Sequence, residues 1–201
     1  DGTIEVHVCM TGCRAYGAAG VVEALNDETR SQGLSKQVEI RATGCHGFCA
    51  KAPVIAIEPI GVQYQEVEPD DAVEIVAQTL KRHQLIDRLA YRQPRTLQPV
   101  FYRNQIPFYA KQERRVLANC GRIDPTNIEE VIDKASLDWN GEVPTHARHL
   151  VLLTDGMVDV SKDAAANAQS RQRIVYALLP RLKAAGVKVH TIALSARADH
   201  D

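Results

Sequence analysis

The chain has 201 residues, of which 45% are hydrophobic and 24% are charged, and its formal net charge is −1. These proportions are ordinary for a globular protein, and the lack of a basic excess argues against nucleic-acid binding. The longest apolar runs fall far short of the roughly 20 residues that a membrane-spanning helix needs, so direct membrane insertion is not expected. The first residues show neither the basic nor the apolar run of a secretion signal, which predicts a cytoplasmic location.

A strand, a helix and a second strand are predicted in the first part of the chain. Apolar and polar residues alternate over residues 4–8 and again over residues 38–42, which is the pattern of a half-buried strand. Between them, residues 18–33 carry a helical stripe of apolar side chains and end at a glycine. This order predicts a right-handed βαβ crossover with two parallel strands.

A hairpin and a second helix are predicted next. Residues 54–57 and 62–67 have strand patterns and are separated by a Pro-Ile-Gly turn, which is typical of a hairpin. A helix is predicted over residues 69–80, since proline and acidic residues suit its first turn. Its inner face is expected to carry Val73, Ile75, Val76 and Leu80.

Four of the five cysteines form two pairs with the same C-x3-C spacing. Cys9 and Cys13 follow the first predicted strand, and Cys45 and Cys49 follow the second. Parallel strands end at the same edge of a sheet, where open α/β sheets place their binding sites. The sequence therefore predicts that the two cysteine loops meet.

Four converging thiolates suit a [2Fe–2S] cluster, because each iron takes two cysteines. A zinc site with the same four ligands and a set of disulfides or free thiols are the alternatives. Gly12, Gly44 and Gly47 are expected to leave backbone N–H groups free to donate to cluster sulfurs. Cys120 lies outside both pairs and is expected to be a small buried residue, and His46 is not expected to bind iron.

The segment over residues 92–122 contains prolines, aromatic residues and an excess of basic residues. A solvated linker and an arm docked on another domain or subunit both fit this composition, since many aromatics would be exposed in a free linker. Thr126 and Glu129 then have capping-box spacing, which predicts a helix from there to about residue 135.

The last third of the chain predicts a second βαβ unit. Residues 149–153 are almost wholly apolar, residues 170–185 form an amphipathic helical pattern and residues 187–194 form another strand pattern. A single βαβ unit cannot bury both faces of its sheet. This part is therefore expected to pack on something else or to be poorly ordered.

Residues 8–89 resemble the thioredoxin-like [2Fe–2S] ferredoxin family, through Cys9-x3-Cys13 followed by Thr43-Gly44-Cys45-His46-Gly47-Phe48-Cys49 and Ala52-Pro53. The pattern is similar to the version fused to NADH-binding flavin subunits of NAD-linked hydrogenases and complex I-like dehydrogenases. Residues 105–132 resemble the opening of that flavin subunit. The resemblance implies that the four paired cysteines are the cluster ligands.

The same resemblance implies an electron-transfer module that works with other subunits of a redox complex in a hetero-oligomer. The remainder of the flavin subunit is not recognisable, since no glycine-rich phosphate loop follows Ala135. FMN and NADH are therefore not expected to bind this chain, and no complete catalytic site is expected in it.

Residues 149–195 resemble the middle of a von Willebrand factor A (VWA) domain, through Leu152-Leu153-Thr154-Asp155-Gly156 and the strand near residue 190. In that family the aspartate of the Thr-Asp-Gly motif helps to hold a divalent cation, which makes Asp155 a candidate Mg²⁺ ligand. The family site also needs an Asp-x-Ser-x-Ser loop that is not visible upstream. An acidic turn residue at a strand end is the alternative interpretation of Asp155.

Taken together, the patterns predict an α/β protein with three parts: a thioredoxin-like [2Fe–2S] domain (1–92), an extended connector (93–135) and a partial Rossmann-like, VWA-like βαβ segment (136–201). The favoured function is electron transfer by an iron–sulfur module of a NAD-linked oxidoreductase complex. A metal-dependent interaction module at the VWA-like site and a zinc-stapled adaptor are the alternatives.

Overall fold

The computed structural model describes residues 2–115, 117–136, 147–154 and 164–193. The chain divides into two units, residues 1–124 and residues 125–201. The three-part division expected from the sequence stays a prediction. Asp155 lies outside the described residues. None of the helices within the described ranges combines the length and the apolar character that crossing a lipid bilayer requires.

The first unit is built on the βαβ crossover that the sequence predicts. Strand β1 (Ile4–Cys9) pairs in parallel with β2 (Val38–Thr43), and helix α1 (Ala18–Ser31) connects them. Val21 and Leu25 bury the apolar stripe of α1 against the sheet, and both are almost completely inaccessible to solvent. Burial of this stripe places the carboxyl ends of β1 and β2 side by side.

The predicted hairpin completes a four-stranded mixed sheet with the order β2-β1-β3-β4. Strand β3 (Ile55–Glu58) runs antiparallel to β1, and β4 (Val62–Tyr64) runs antiparallel to β3. The fourth strand is shorter than predicted because the chain leaves the ladder after Tyr64. The amide of Gln65 donates to the carbonyl of Leu89 at 2.9 Å, and Glu66 adopts a φ of 52°.

Helix α2 (Asp71–Glu74) continues into wider π-helical turns at Ile75–Leu80. Ile75, Val76 and Leu80 are buried in the core as predicted. The prediction for Val73 is wrong, since its side chain is 58% exposed. The buried positions Ala72, Ile75, Val76, Thr79 and Leu80 are spaced three and four residues apart. Val73 lies about 200° around the helix from Ile75, so the two side chains cannot share one face.

Residues 99–110 are not a solvated linker, because they bond to the sheet. After a short hairpin of β5 (Tyr91–Arg92) and β6 (Pro99–Val100), the chain runs beside β4. Gln63 donates its N–H to Phe101 at 2.9 Å, and Arg103 donates its N–H to Gly61 at 2.9 Å. A single turn, α3 (Pro107–Ala110), follows the fully buried Ile106. The segment is thus docked on the sheet of its own unit.

The second unit contains the predicted helix α4 (Ile128–Ser136) and the second βαβ crossover. Its two parallel strands are β7 (Arg148–Thr154) and β8 (Val187–Ala193). Three consecutive helical pieces precede β8: α5 (Ala164–Arg173), π-helical turns at Ile174–Leu178, and α6 (Leu179–Ala184).

The core of the second unit is small. Ile132 of α4, Leu182 of α6 and Val187 of β8 are buried together. On the strands, however, Val151 is 57% exposed and Ile192 is 50% exposed. This exposure agrees with the expectation that one βαβ unit leaves part of its sheet uncovered.

Candidate metal centre

The first cysteine pair lies at the carboxyl end of β1 and is buried. Cys9 is the last residue of the strand, where its N–H donates to the carbonyl of Val54 at 3.2 Å. Cys13 belongs to a single 3₁₀ turn, Gly12–Tyr16. Both thiols are shielded from solvent, with 1% exposure for each residue.

The second cysteine pair follows β2 and faces outward. Cys45 is half-buried, and Cys49 is exposed at the start of a 3₁₀ turn, Cys49–Lys51. The two Sγ atoms are 3.6 Å apart. The site therefore has a buried side formed by the first pair and an accessible side formed by the second.

The two loops meet at one edge of the sheet, as the strand order predicts. A Cβ atom placed on Gly12 would lie 3.6 Å from the Sγ atom of Cys49, which is ordinary van der Waals contact. The amide of Met10 donates to the carbonyl of Thr43 at 2.9 Å, which extends the pairing of β1 with β2 up to the loops. Parallel pairing that continues to the strand ends is what brings the loops together.

The two thiols of the buried pair share a hydrogen bond that separates their pKa values. The bond from the Cys13 thiol lowers the pKa of Cys9, and the Thr11 hydroxyl assists at 3.5 Å. The same bond raises the pKa of Cys13. In the outer pair, the bond with Cys45 raises the pKa of Cys49. Because metals bind the thiolate, binding at these residues would release thiol protons.

His46 lies between the outer cysteines in sequence, but its ring points into the protein. The residue is 1% exposed, and its Nε2 atom is 3.2 Å from the Thr43 hydroxyl oxygen. Burial lowers the pKa of His46 to about 3, so the ring is neutral. Gly121 lies against the ring, since a Cβ there would be 3.0 Å from Nδ1. His46 therefore acts as a packed core residue.

The three loop glycines have different roles. The amide of Gly47 donates to the Cys45 sulfur at 3.2 Å, as expected for an N–H near a ligand. The expectation for Gly44 is wrong, because its amide donates to the carbonyl of Ile123 at 2.8 Å. Gly12 has no side chain, so its backbone lies close to the Cys49 sulfur.

An aromatic cluster supports the outer cysteine loop, and the sequence alone did not place it there. The ring of Phe48 lies 5.2 Å from Phe108, 5.9 Å from Tyr109 and 5.8 Å from Tyr91 between centroids. Arg114 donates from Nη2 to the carbonyl of His46 at 2.9 Å. The aromatic and basic composition of residues 92–122 was the signal, but it did not identify the surface on which these residues dock.

The donor set fits a [2Fe–2S] cluster, since two cysteine pairs supply two thiolates for each of two irons. Cys120 is half-buried and belongs to neither pair. Among the described residues, no three His, Cys, Asp or Glu side chains have the arrangement that holds a single metal ion. That each of the four paired cysteines binds iron stays a prediction.

Comparison with known proteins also indicates a [2Fe–2S] protein. Residues 1–80 match the family described as thioredoxin-like [2Fe-2S] ferredoxin. The chain is 34% identical over 77 residues to a 2Fe-2S ferredoxin of Clostridium pasteurianum, which covers 38% of this chain and 76% of that protein. It is 33% identical over 78 residues to a 2Fe-2S ferredoxin of Aquifex aeolicus, which covers 38% of this chain and 70% of that protein.

The solved structure of a thioredoxin-like [2Fe-2S] ferredoxin from Aquifex aeolicus is also similar, with 29% identity and a TM-score of 0.42. The match covers 44% of this chain and 90% of the other. The two ferredoxin relatives establish the family, because each is more than 30% identical and more than two thirds of its length is covered. Through its N-terminal unit, the chain belongs to the thioredoxin-like [2Fe–2S] ferredoxin family and is an electron-transfer iron–sulfur module.

Proposed function

We propose that Cys9, Cys13, Cys45 and Cys49 hold the [2Fe–2S] cluster of this module. The observation that carries the proposal is the approach of Gly12 to the Cys49 sulfur, which brings two C-x3-C loops to one sheet edge. A cluster bound there supplies one-electron transfer.

The residues around the site have separate tasks. Cys9 and Cys13 lie in the core, where the surrounding apolar side chains exclude water. Cys45 and Cys49 lie at the accessible side, so electrons enter and leave there. The Gly47 amide stabilises negative charge on the Cys45 sulfur through its hydrogen bond.

The module serves a NAD-linked oxidoreductase complex, of the hydrogenase or NADH-dehydrogenase type. The support is the resemblance of residues 105–132 to the opening of an NADH-binding flavin subunit. A one-electron relay needs a donor and an acceptor, and other subunits of a hetero-oligomer supply them. FMN and NADH bind the partner in this proposal.

The ligand assignment is tested by visible absorbance, iron content and EPR of the anaerobically purified full chain. Serine replaces each of the four cysteines in turn, and Cys120→Ser is the matched control. We expect about two irons per chain and an EPR signal only after dithionite reduction in the unmodified protein and in the control. Each of the four variants should lose or alter these signals.

Unchanged spectra in all four variants would overturn the ligand assignment. A colourless protein that contains about one zinc would instead establish the zinc-stapled adaptor. A spectrum that changes in Cys120→Ser as much as in the others would mean that the loss reflects general damage to the fold.

The complex is tested separately with NADH. NADH alone should leave the visible spectrum of the oxidised chain unchanged, because the flavin is expected on a partner. NADH together with a purified NADH-oxidising flavin subunit of the complex I type should bleach it. Direct reduction by NADH, or no reduction with the flavin subunit present, would contradict this part of the proposal.

A metal-dependent interaction site at the second unit is the second candidate. The observation that favours it is the parallel pairing of β7 with β8, since Asp155 directly follows β7 in sequence. Calorimetric titration with Mg²⁺ tests it, and Asp155→Ala should abolish binding. No heat of binding in the unmodified chain would exclude a cation site there.

A further inference from the structure

An open cavity of about 810 Å³ lies in the first unit, beside the docked segment over residues 99–110. Cys120 lines it, and the residues that line it do not include the four paired cysteines. The end of β3 and the turn after it form one wall, from Glu58 to Gly61. Residues 102–105 and side chains between Tyr109 and Arg122 form the other. Cavities of roughly 300–1,000 Å³ are of the size that holds small molecules.

Three arginines line this cavity: Arg103, Arg114 and Arg122. One acidic residue, Glu58, lines it with them. Within the described ranges, none of the three guanidinium groups has a carboxylate at salt-bridge distance, whereas neighbouring Arg115 pairs with Glu113 at 2.9 Å. The lining therefore carries more positive than negative charge.

Burial makes this charge costly. Arg103 is half-buried, and loss of solvent lowers its pKa, with smaller effects of Arg114 and Arg122 in the same direction and of Tyr109 and Glu58 against it. A desolvated cation without an anion is unfavourable, and a bound anion would remove that cost. Guanidinium groups also match the geometry of phosphate and carboxylate oxygens, which they bind with two parallel hydrogen bonds.

Two of the arginines are held in place before any ligand arrives. The guanidinium carbon of Arg103 lies 4.7 Å from the centroid of the Tyr109 ring, and that of Arg114 lies 5.3 Å from it. Arg114 is fixed further by its bonds to the His46 carbonyl at 2.9 Å and to the Gln112 side chain at 3.1 Å. Positioned donors bind more tightly, because less conformational freedom is lost on association.

We propose that this cavity binds a small polyanion that carries phosphate or carboxylate groups, held by Arg103, Arg114 and Arg122. The site is distinct from the cysteine pairs and does not depend on the cluster assignment. Through Arg114, the bound anion would contact a side chain that also holds the outer cysteine loop.

Isothermal titration calorimetry of the purified full chain tests the proposal, with pyrophosphate and citrate as probes at constant ionic strength. Arg103→Gln and Arg122→Gln remove one lining charge each, and Arg115→Gln is the matched control because its side chain is exposed and paired with Glu113. We expect each lining variant to weaken binding about tenfold or more and the control to stay within about twofold.

The two probes distinguish the sources of the anion: preference for pyrophosphate indicates a phosphate ligand, and preference for citrate indicates a carboxylate ligand. Amide NMR shifts at Gly61 and Asn104, which line the cavity, should accompany binding. No binding of either probe at millimolar concentration would overturn the proposal. Equal weakening in Arg115→Gln would do so as well, since it would show general charge attraction. Circular dichroism confirms that each variant is folded.

Discussion

Arg114 donates a hydrogen bond of 2.9 Å from its Nη2 atom to the main-chain carbonyl of His46. The bond joins residues 111–124, which follow the docked segment, to the loop that carries Cys45 and Cys49. A second bond, from the Gly44 amide to Ile123, joins the same parts at 2.8 Å. The outer cysteine loop is therefore bonded at Gly44 and at His46 to residues that lie far along the chain.

Replacement of Arg114 by methionine should destabilise the first unit by about 1–2 kcal/mol. Methionine keeps an unbranched side chain but loses the bond to His46 and the contact with the Tyr109 ring. Arg115→Met is the control, since Arg115 is exposed and its guanidinium donates to the neighbouring carboxylate of Glu113. Urea unfolding measures both variants, and equal midpoints would contradict the role of Arg114.

Gly47→Ala should destabilise the protein more than the same change at Gly33. Both glycines have positive φ, at 87° and 71°, which costs an alanine about 1 kcal/mol or more. A Cβ at Gly47 would also lie 3.0 Å from the Arg114 guanidinium, whereas Gly33 has open space around it. We expect about 1 kcal/mol for Gly33→Ala and about 2–3 kcal/mol for Gly47→Ala. Thermal unfolding compares them, and equal losses would show that the contact with Arg114 adds nothing.

Gly12→Val should reduce iron content, while Gly12→Ala should largely preserve it. An alanine Cβ would make ordinary contact with the Cys49 sulfur at 3.6 Å, but the branches of valine would need the space of the thiol itself. Gly2→Val makes the same change where nothing lies within 4 Å. Iron analysis of the purified variants measures the effect. Full iron content in Gly12→Val would mean that the two loops are farther apart than described.

Tyr64→Phe should remove part of the loss of stability at alkaline pH. Burial raises the pKa of Tyr64 above its usual value of 10. The unfolded chain loses this proton near pH 10 while the folded chain keeps it, so stability falls as pH rises above about 10. Phenylalanine abolishes that contribution. Near neutral pH it costs about 1–2 kcal/mol, because the hydroxyl bonds Thr79 at 2.7 Å and accepts from Ile86 at 3.0 Å.

Urea unfolding between about pH 8 and pH 11 measures this difference. Tyr16→Phe is the control because Tyr16 is 66% exposed. The alkaline slope of the control should match that of the unmodified protein. If Tyr64→Phe also kept the full slope, the titration of Tyr64 would not be its source.

The sequence by itself determined the order of elements and the meeting of the cysteine loops. Strand and helix periods are local properties, so both βαβ units follow from alternating and helical apolar patterns. Parallel strands end at one edge, so the spacing of Cys9, Cys13, Cys45 and Cys49 after β1 and β2 predicted a shared site without knowledge of the packing.

Only the tertiary structure decided what supports that site. The bond of Gly44 to Ile123, the position of Arg114 and the cavity around Arg103 all join residues that are distant in sequence. Composition marked residues 92–122 as aromatic and basic, but it did not identify their partner surface. Val73 was misplaced for a local reason, since it lies about 200° around the helix from the buried Ile75. Long-range packing depends on shape and on paired polar groups, and a local pattern of apolar residues specifies neither.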